Sequence, residues 1–207
     1  MRIQSTHNFG SRGLDAYWTC REAIASLILL EGDRMPRRIA EIAAGTGAIV
    51  YPLRESGRFV FASDVHDYGL PGCRICDYRT LRLPQGIEGI VTNPPFRLAQ
   101  AFLMKALQEV PYVALLLRTN FVMDGAARCH WLDQHEPTRQ WWSAQRLPMM
   151  HRHNWTGKKS TTNTAHCWFV WERGAPREFP ERFYWRELHG VAPAKATRTK
   201  AVRRKAA

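Results

Sequence analysis

The stretch Arg38-Ile39-Ala40-Glu41-Ile42-Ala43-Ala44-Gly45-Thr46-Gly47-Ala48 joins a run of β-forming residues to a turn of small ones. Arg38 to Ala43 reads as a strand and Ala48 to Glu55 as a helix. The small residues between them let the backbone turn sharply and approach a ligand, with a helix N-terminus behind it. A second strand, Phe59-Val60-Phe61-Ala62-Ser63, leads straight into Asp64, nineteen residues beyond Gly45. A carboxylate in that place can accept hydrogen bonds from both hydroxyls of a ribose, which points to a nucleoside-bearing cofactor. Val50 stands where a third glycine of G-x-G-x-x-G would be, and no Gly-Lys-Ser/Thr occurs, so few donors are aimed at a pyrophosphate and a nicotinamide cofactor is disfavoured.

Outward from this unit the β-α rhythm continues. Short strands are predicted around Arg74 to Cys76 and over Gly89-Ile90-Val91-Thr92. From Ala99 to Val110 the residues Phe102, Leu103, Ala106, Leu107 and Val110 share one helical face. Tyr112 to Leu117 is continuously apolar, as a strand covered on both faces must be. Arg139 to Leu147 and Ala165 to Trp171 read as two further strands, with the polar loop His151 to Asn163 between them. The pattern predicts an α/β, doubly wound, mostly parallel sheet of seven strands, ending in an antiparallel hairpin at the sheet edge. Ligands of such sheets bind beyond the carboxyl ends of the strands.

The 207 residues, 45% apolar and 23% charged, suffice for one folded domain without staples. We place a flexible arm at 1–13, the folded domain at 14–188 and a basic tail at 189–207. The tail carries Lys195, Arg198, Lys200, Arg203, Arg204 and Lys205 with no acidic residue after Val191 and should be disordered in isolation. No apolar stretch approaches the length of a membrane span, and Met1-Arg2-Ile3-Gln4-Ser5 opens no apolar signal region, so a cytoplasmic protein with no membrane partner is expected. Five cysteines form no disulfide framework. Cys73-x-x-Cys76 lacks a second pair at zinc spacing, and no metal is expected. The net charge of +12 favours a polyanionic partner.

The chemistry rests on Asn93-Pro94-Pro95-Phe96, which directly follows the strand Gly89 to Thr92. The prolines fix the backbone and remove two N–H donors, so nearby carbonyls and the Asn93 amide can face a pocket. Such a site suits a flat group bearing an exocyclic NH2. The Asn93 side-chain oxygen and the Pro94 carbonyl accept its hydrogens, and Phe96 stacks on the ring. An aryl amine attacks poorly because its lone pair is delocalised. Acceptors that draw its hydrogens out of the ring plane localise that pair toward an electrophile, with no strong general base needed.

With these residues the chain resembles class I S-adenosylmethionine-dependent methyltransferases, and within them the compact N6-adenine DNA methyltransferases of bacteria and phages. Asp15 to Cys20 resembles the segment before the first strand, which implies cofactor contacts from Tyr17 and Thr19. Glu41 to Gly47 resembles the glycine motif, implicating Glu41, Ala43, Gly45 and Gly47. Ser63-Asp64 resembles the ribose-binding turn, and Asp77 sits where members hold the cofactor's adenine. Asn93, Pro94, Pro95 and Phe96 resemble the catalytic motif. Cys20 and Ile42 stand where the family usually has proline. Lys158-Lys159-Ser160 and Cys167 to Trp171 resemble the ending of these small enzymes, and no target-recognition domain of the usual size follows.

The resemblance implies transfer of a methyl group to N6 of an adenine flipped from DNA or already unpaired. Arg118, Arg146, Arg152, Lys158, Lys159 and the tail are candidates for holding the phosphate backbone. The alternatives are an adenine or guanine amine in RNA, a protein glutamine amide, or non-catalytic binding of nucleic acid. The tryptophans 141, 142, 168 and 171 are read as core rather than as base-stacking residues, and His151-Arg152-His153 as a polar loop. A monomer is favoured over an assembly.

Overall fold

The computed structural model describes residues 19–123, 125–148 and 165–190. Its strands are β1 (Arg38–Glu41), β2 (Phe59–Asp64), β3 (Arg74–Ile75), β4 (Gly89–Thr92), β5 (Tyr112–Arg118), β6 (Arg139–Ser143), β7 (His166–Glu172) and β8 (Glu181–Phe183). The helices are α1 (Arg21–Glu31), α2 (Val50–Glu55), α3 (Ala99–Glu109), α4 (Ala126–Gln134) and α5 (Trp185–Leu188). One sheet of eight strands runs in the order β3-β2-β1-β4-β5-β7-β6-β8. Only β7 is reversed among the described strands. It pairs antiparallel with β5 and β6, whereas the other pairs are parallel.

Side chains alternate between two cores, one on each face of the sheet. Tyr112, Ala114 and Leu116 of β5 join Trp168 and Val170 of β7 beneath α1 and α2. Val113, Leu115 and Leu117 join Cys167, Phe169 and Trp171 beneath α3. This double burial is why β5 is apolar from Tyr112 to Leu117, as the sequence predicts. Trp141, Trp168 and Trp171 are buried core residues, and Trp142 packs against the second cluster.

The sheet has one strand more than predicted. β8 lies outside β6, so the β6–β7 hairpin is not the sheet edge. Three residues with Glu181 and Arg182 exposed give little strand signal, yet short charged strands are how sheet edges avoid pairing with other chains. Boundaries also shift. β1 stops at Glu41 rather than Ala43, β6 stops at Ser143 rather than Leu147, and α2 starts at Val50 rather than Ala48, after the Gly47 N–H has turned back onto the Ala44 carbonyl. The apolar run Ala23 to Leu30 forms most of α1, whose Ala23, Ile24 and Leu27 are fully buried. The described residues run on to Gly190, and His189 Nε2 lies 3.2 Å from Ser26 Oγ. Among the described residues no helix is long and apolar enough to cross a membrane. The arm at 1–13, Tyr17, Arg152, Lys158, Lys159, the loop His151 to Asn163 and the tail from Val191 lie outside the described residues.

Candidate active site at the carboxyl edge of the sheet

Strand order reverses between β1 and β4, whose carboxyl ends open a crevice between the neighbouring loops. A cavity of about 430 Å³ lies there, within the usual size range of small-molecule pockets. Thr19, Glu41, Ala43, Gly45, Asp64, Asp77, Asn93, Pro94 and Pro95 all line it. Gly47 and Phe96 are not in its wall.

The glycine turn is pinned to both strands. Gly45 and Gly47 have positive φ angles of 51° and 92°, a region that side-chain-bearing residues rarely adopt. A Cβ on Gly47 would also lie 2.7 Å from Leu70 and Tyr51, so packing leaves no room for a side chain there. The Gly45 N–H donates to Asp64 Oδ2 at 2.9 Å and the His66 N–H to Asp64 Oδ1 at 3.0 Å. These two bonds hold the carboxylate at the cavity wall.

Glu41 is the most unusual group in the wall. It is fully buried, and its Oε1 accepts from the Ala43 N–H at 2.9 Å and the Thr92 hydroxyl at 2.5 Å. Its Oε2 has no hydrogen-bond partner among the described residues. Burial pushes its carboxyl up to about 8, against the lowering effect of the Thr92 and Ala43 bonds. The folded protein therefore holds a proton that the unfolded chain has released between pH 4.5 and about 8. Stability falls as pH rises through that window. Glu41→Gln removes this dependence: relative to wild type it gains stability from pH 5 to pH 8, by on the order of a few kcal/mol. Urea unfolding at the two pH values checks this, and a constant difference would refute it.

Beyond β3, Asp77 is gripped by the Arg79 guanidinium, with Arg79 Nη2 at 2.6 Å from Oδ2. These hydrogen bonds hold the Asp77 carboxyl below the usual carboxylate range. At the end of β4, Asn93 Nδ2 donates to Thr19 Oγ1 at 3.0 Å. With the nitrogen held by Thr19, Oδ1 is the acceptor end of that amide. Phe96 packs instead toward β5 and β7. The Arg118 Cζ lies 4.2 Å from its ring centroid and the His166 ring 6.3 Å from it. Arg146 is exposed beyond β6, and its carbonyl accepts from Trp185 Nε1.

Sequence reasoning missed Val65, Tyr68, Arg79 and Arg97, which also line the cavity. Val65 and Arg97 each had one local signal, since they directly follow Asp64 and Phe96. Tyr68 had none, because a loop brings it in.

The likenesses to solved structures agree with this architecture. A proposed RNA methyltransferase from Pyrococcus horikoshii matches with a TM-score of 0.60 at 16% identity, over 77% of this chain and 87% of that one. The fold is that of class I methyltransferases. The methyltransferase subunit of a type I restriction-modification system from Streptococcus thermophilus gives 0.54 at 10% identity, over 74% of this chain and 43% of that one. A proposed class I S-adenosylmethionine-dependent methyltransferase from Listeria monocytogenes gives 0.53 at 12%, over 78% and 64%. The chain thus spans under half of the restriction-modification subunit. No protein-family model and no curated protein sequence matches it.

Proposed function

We propose that this chain is an S-adenosylmethionine-dependent methyltransferase whose acceptor is the exocyclic N6 amine of adenine in DNA. The observation that carries the reading is the shared cavity: Asn93, its amide oriented by Thr19, opens onto the space lined by Gly45, Glu41 and Asp64. The residues fit that cofactor. Glu41 Oε2, buried without a partner among the described residues, suits an ammonium group. Asp64 suits the ribose hydroxyls, Val65 and Tyr68 suit a purine ring, and Asp77 suits its amine. When bound, the cofactor supplies an electrophilic methyl group.

The residues of the chain do the rest. Asn93 Oδ1 and the Pro94 carbonyl are the acceptors that hold the acceptor amine, and Pro95 keeps the turn stiff. Neutral Asn93 takes no proton, so the proton lost by the amine passes to solvent. The net charge of +12 supports a nucleic acid over a protein amide. Arg118 ends β5 and Arg146 follows β6, on the same edge as Asn93, where a phosphate backbone would run. Arg152, Lys158, Lys159 and the basic tail are proposed to extend that contact.

The test is methyl-labelled cofactor with duplex DNA, single-stranded DNA, ribosomal RNA and protein as separate acceptors, followed by mass spectrometry of the modified nucleoside. N6-methyladenine in DNA is expected. Label confined to RNA would move the substrate class, and label in none of the four would leave a nucleic-acid binder.

A further inference from the structure

Phe96 has a neighbour that the proposed function leaves unexplained. Arg118, the last residue of β5, lays its guanidinium over the Phe96 ring with Cζ 4.2 Å from the centroid. That is contact distance for a cation over an aromatic face, and no base fits between them. Arg118 is held beside the ring by its strand: it pairs across the ladder with His166, whose own ring lies 6.3 Å from Phe96. The guanidinium is flat, delocalised and permanently charged, so it is both an imitation of a nucleobase on an aromatic face and a bidentate partner for phosphate.

We propose that Arg118 is a placeholder on Phe96, which yields the ring to the substrate base and moves its guanidinium onto a phosphate of the same strand. The exchange rests on the nucleic-acid reading above and narrows it. A base flanked by phosphates brings both the plane that replaces Arg118 and the anion that receives it. A free nucleoside or a glutamine amide brings no such anion and must compete with the cation–π contact unaided. The enzyme therefore prefers an oligonucleotide to a nucleoside at the level of base entry, beyond what the net charge contributes.

Two ligands test this without any methyl transfer: free adenosine, which brings the base without a phosphate backbone, and a labelled run of thymidines with a single adenine, which brings both. Calorimetry and fluorescence anisotropy give their dissociation constants for the full-length wild type and for Arg118→Met. With the placeholder gone, adenosine should bind about 3- to 10-fold more tightly, within the range expected for a lost cation–π contact. The oligonucleotide should gain less or weaken, because it also loses the phosphate contact. Arg118→Lys, which keeps the charge, should move adenosine the same way by less, with an unchanged salt slope for the oligonucleotide.

Unchanged adenosine affinity in both variants, with the oligonucleotide weakened by Arg118→Met, would overturn the placeholder and leave Arg118 a plain phosphate contact. The acceptor assay separates this from the parent reading. If wild type methylates DNA while adenosine affinity stays fixed, only the placeholder fails. Tighter adenosine binding by the variant of a protein that methylates nothing would support the placeholder and refute the methyltransferase.

Discussion

If the chain methylates DNA as proposed, Asn93→Ala is expected to lower the rate by at least ~100-fold while cofactor affinity changes little. Removing one preorganised hydrogen-bonding group from a transition state costs a factor of about 10²–10³. The geometry argues that Asn93 belongs to that class. Its backbone is stiffened by Pro94 and Pro95, and its amide is set by the 3.0 Å bond to Thr19, so no reorganisation is needed when the amine begins to pyramidalise. Single-turnover kinetics with labelled cofactor, together with calorimetry of cofactor binding, check both halves of the expectation. A wild-type rate in the variant would remove Asn93 from the chemistry.

Thr19 sharpens the same experiment. If Thr19 acts by orienting Asn93, Thr19→Val slows wild type by roughly 10-fold and costs nothing further in the Asn93→Ala background, because coupled residues are not additive. A residue that touched only the cofactor would slow both backgrounds equally.

That coupling shows what the sequence could and could not disclose. The residues of the crevice between β1 and β4 were legible because each follows a strand at a spacing that chemistry constrains: Gly45 after β1, Asp64 ending β2, Asn93 after β4. β5 and β7 were legible because burial on both faces demands unbroken apolar runs. The bond from Asn93 to Thr19 spans seventy-four positions and leaves no periodic trace. The stack of Arg118 on Phe96 is equally silent, since an arginine after a strand reads as an exposed charge. β8 escaped notice for the opposite reason, because a sheet edge is served by a segment that looks like a loop. Gly47 was legible as a turn residue, but its reason, the absence of room beside Leu70 and Tyr51, is a property of packing alone.

The largest stability effect is expected far from the cavity, at Glu31. This last residue of α1 is buried, and it accepts from Arg139 Nε and Nη2 at 3.0 and 2.8 Å, from the Tyr112 hydroxyl at 3.1 Å and from Trp141 Nε1 at 2.6 Å. Each carboxylate oxygen thus takes two donors, and together they tie α1 to β5 and β6. Glu31→Ala leaves the Tyr112 and Trp141 donors without this acceptor and the nearly buried Arg139 with Glu172 as its close partner at 2.6 Å. Breaking a buried pair in this way costs about 3–5 kcal/mol, or a fall in Tm on the order of 10 °C for a domain of this size. The exposed pair Arg21–Glu55 gives the contrast. Its side chains are 73% and 55% exposed, and Glu55→Ala should cost no more than about 1 kcal/mol. Replacing Glu31 and Arg139 together by methionine should cost less than the sum of the two single changes, since neither of these two buried charges is then left without the other. Thermal and urea unfolding measure all of these, and a loss below about 1 kcal/mol for Glu31→Ala would refute the network's role. The effect reaches function through α1 itself. Trp168 Nε1 holds the Ala23 carbonyl near its start at 2.9 Å, Glu31 holds its end, and the residue before its Cys20 cap is Thr19. A loosened α1 therefore slackens the group that aims Asn93, so Glu31→Ala should lose activity at temperatures where it is still folded.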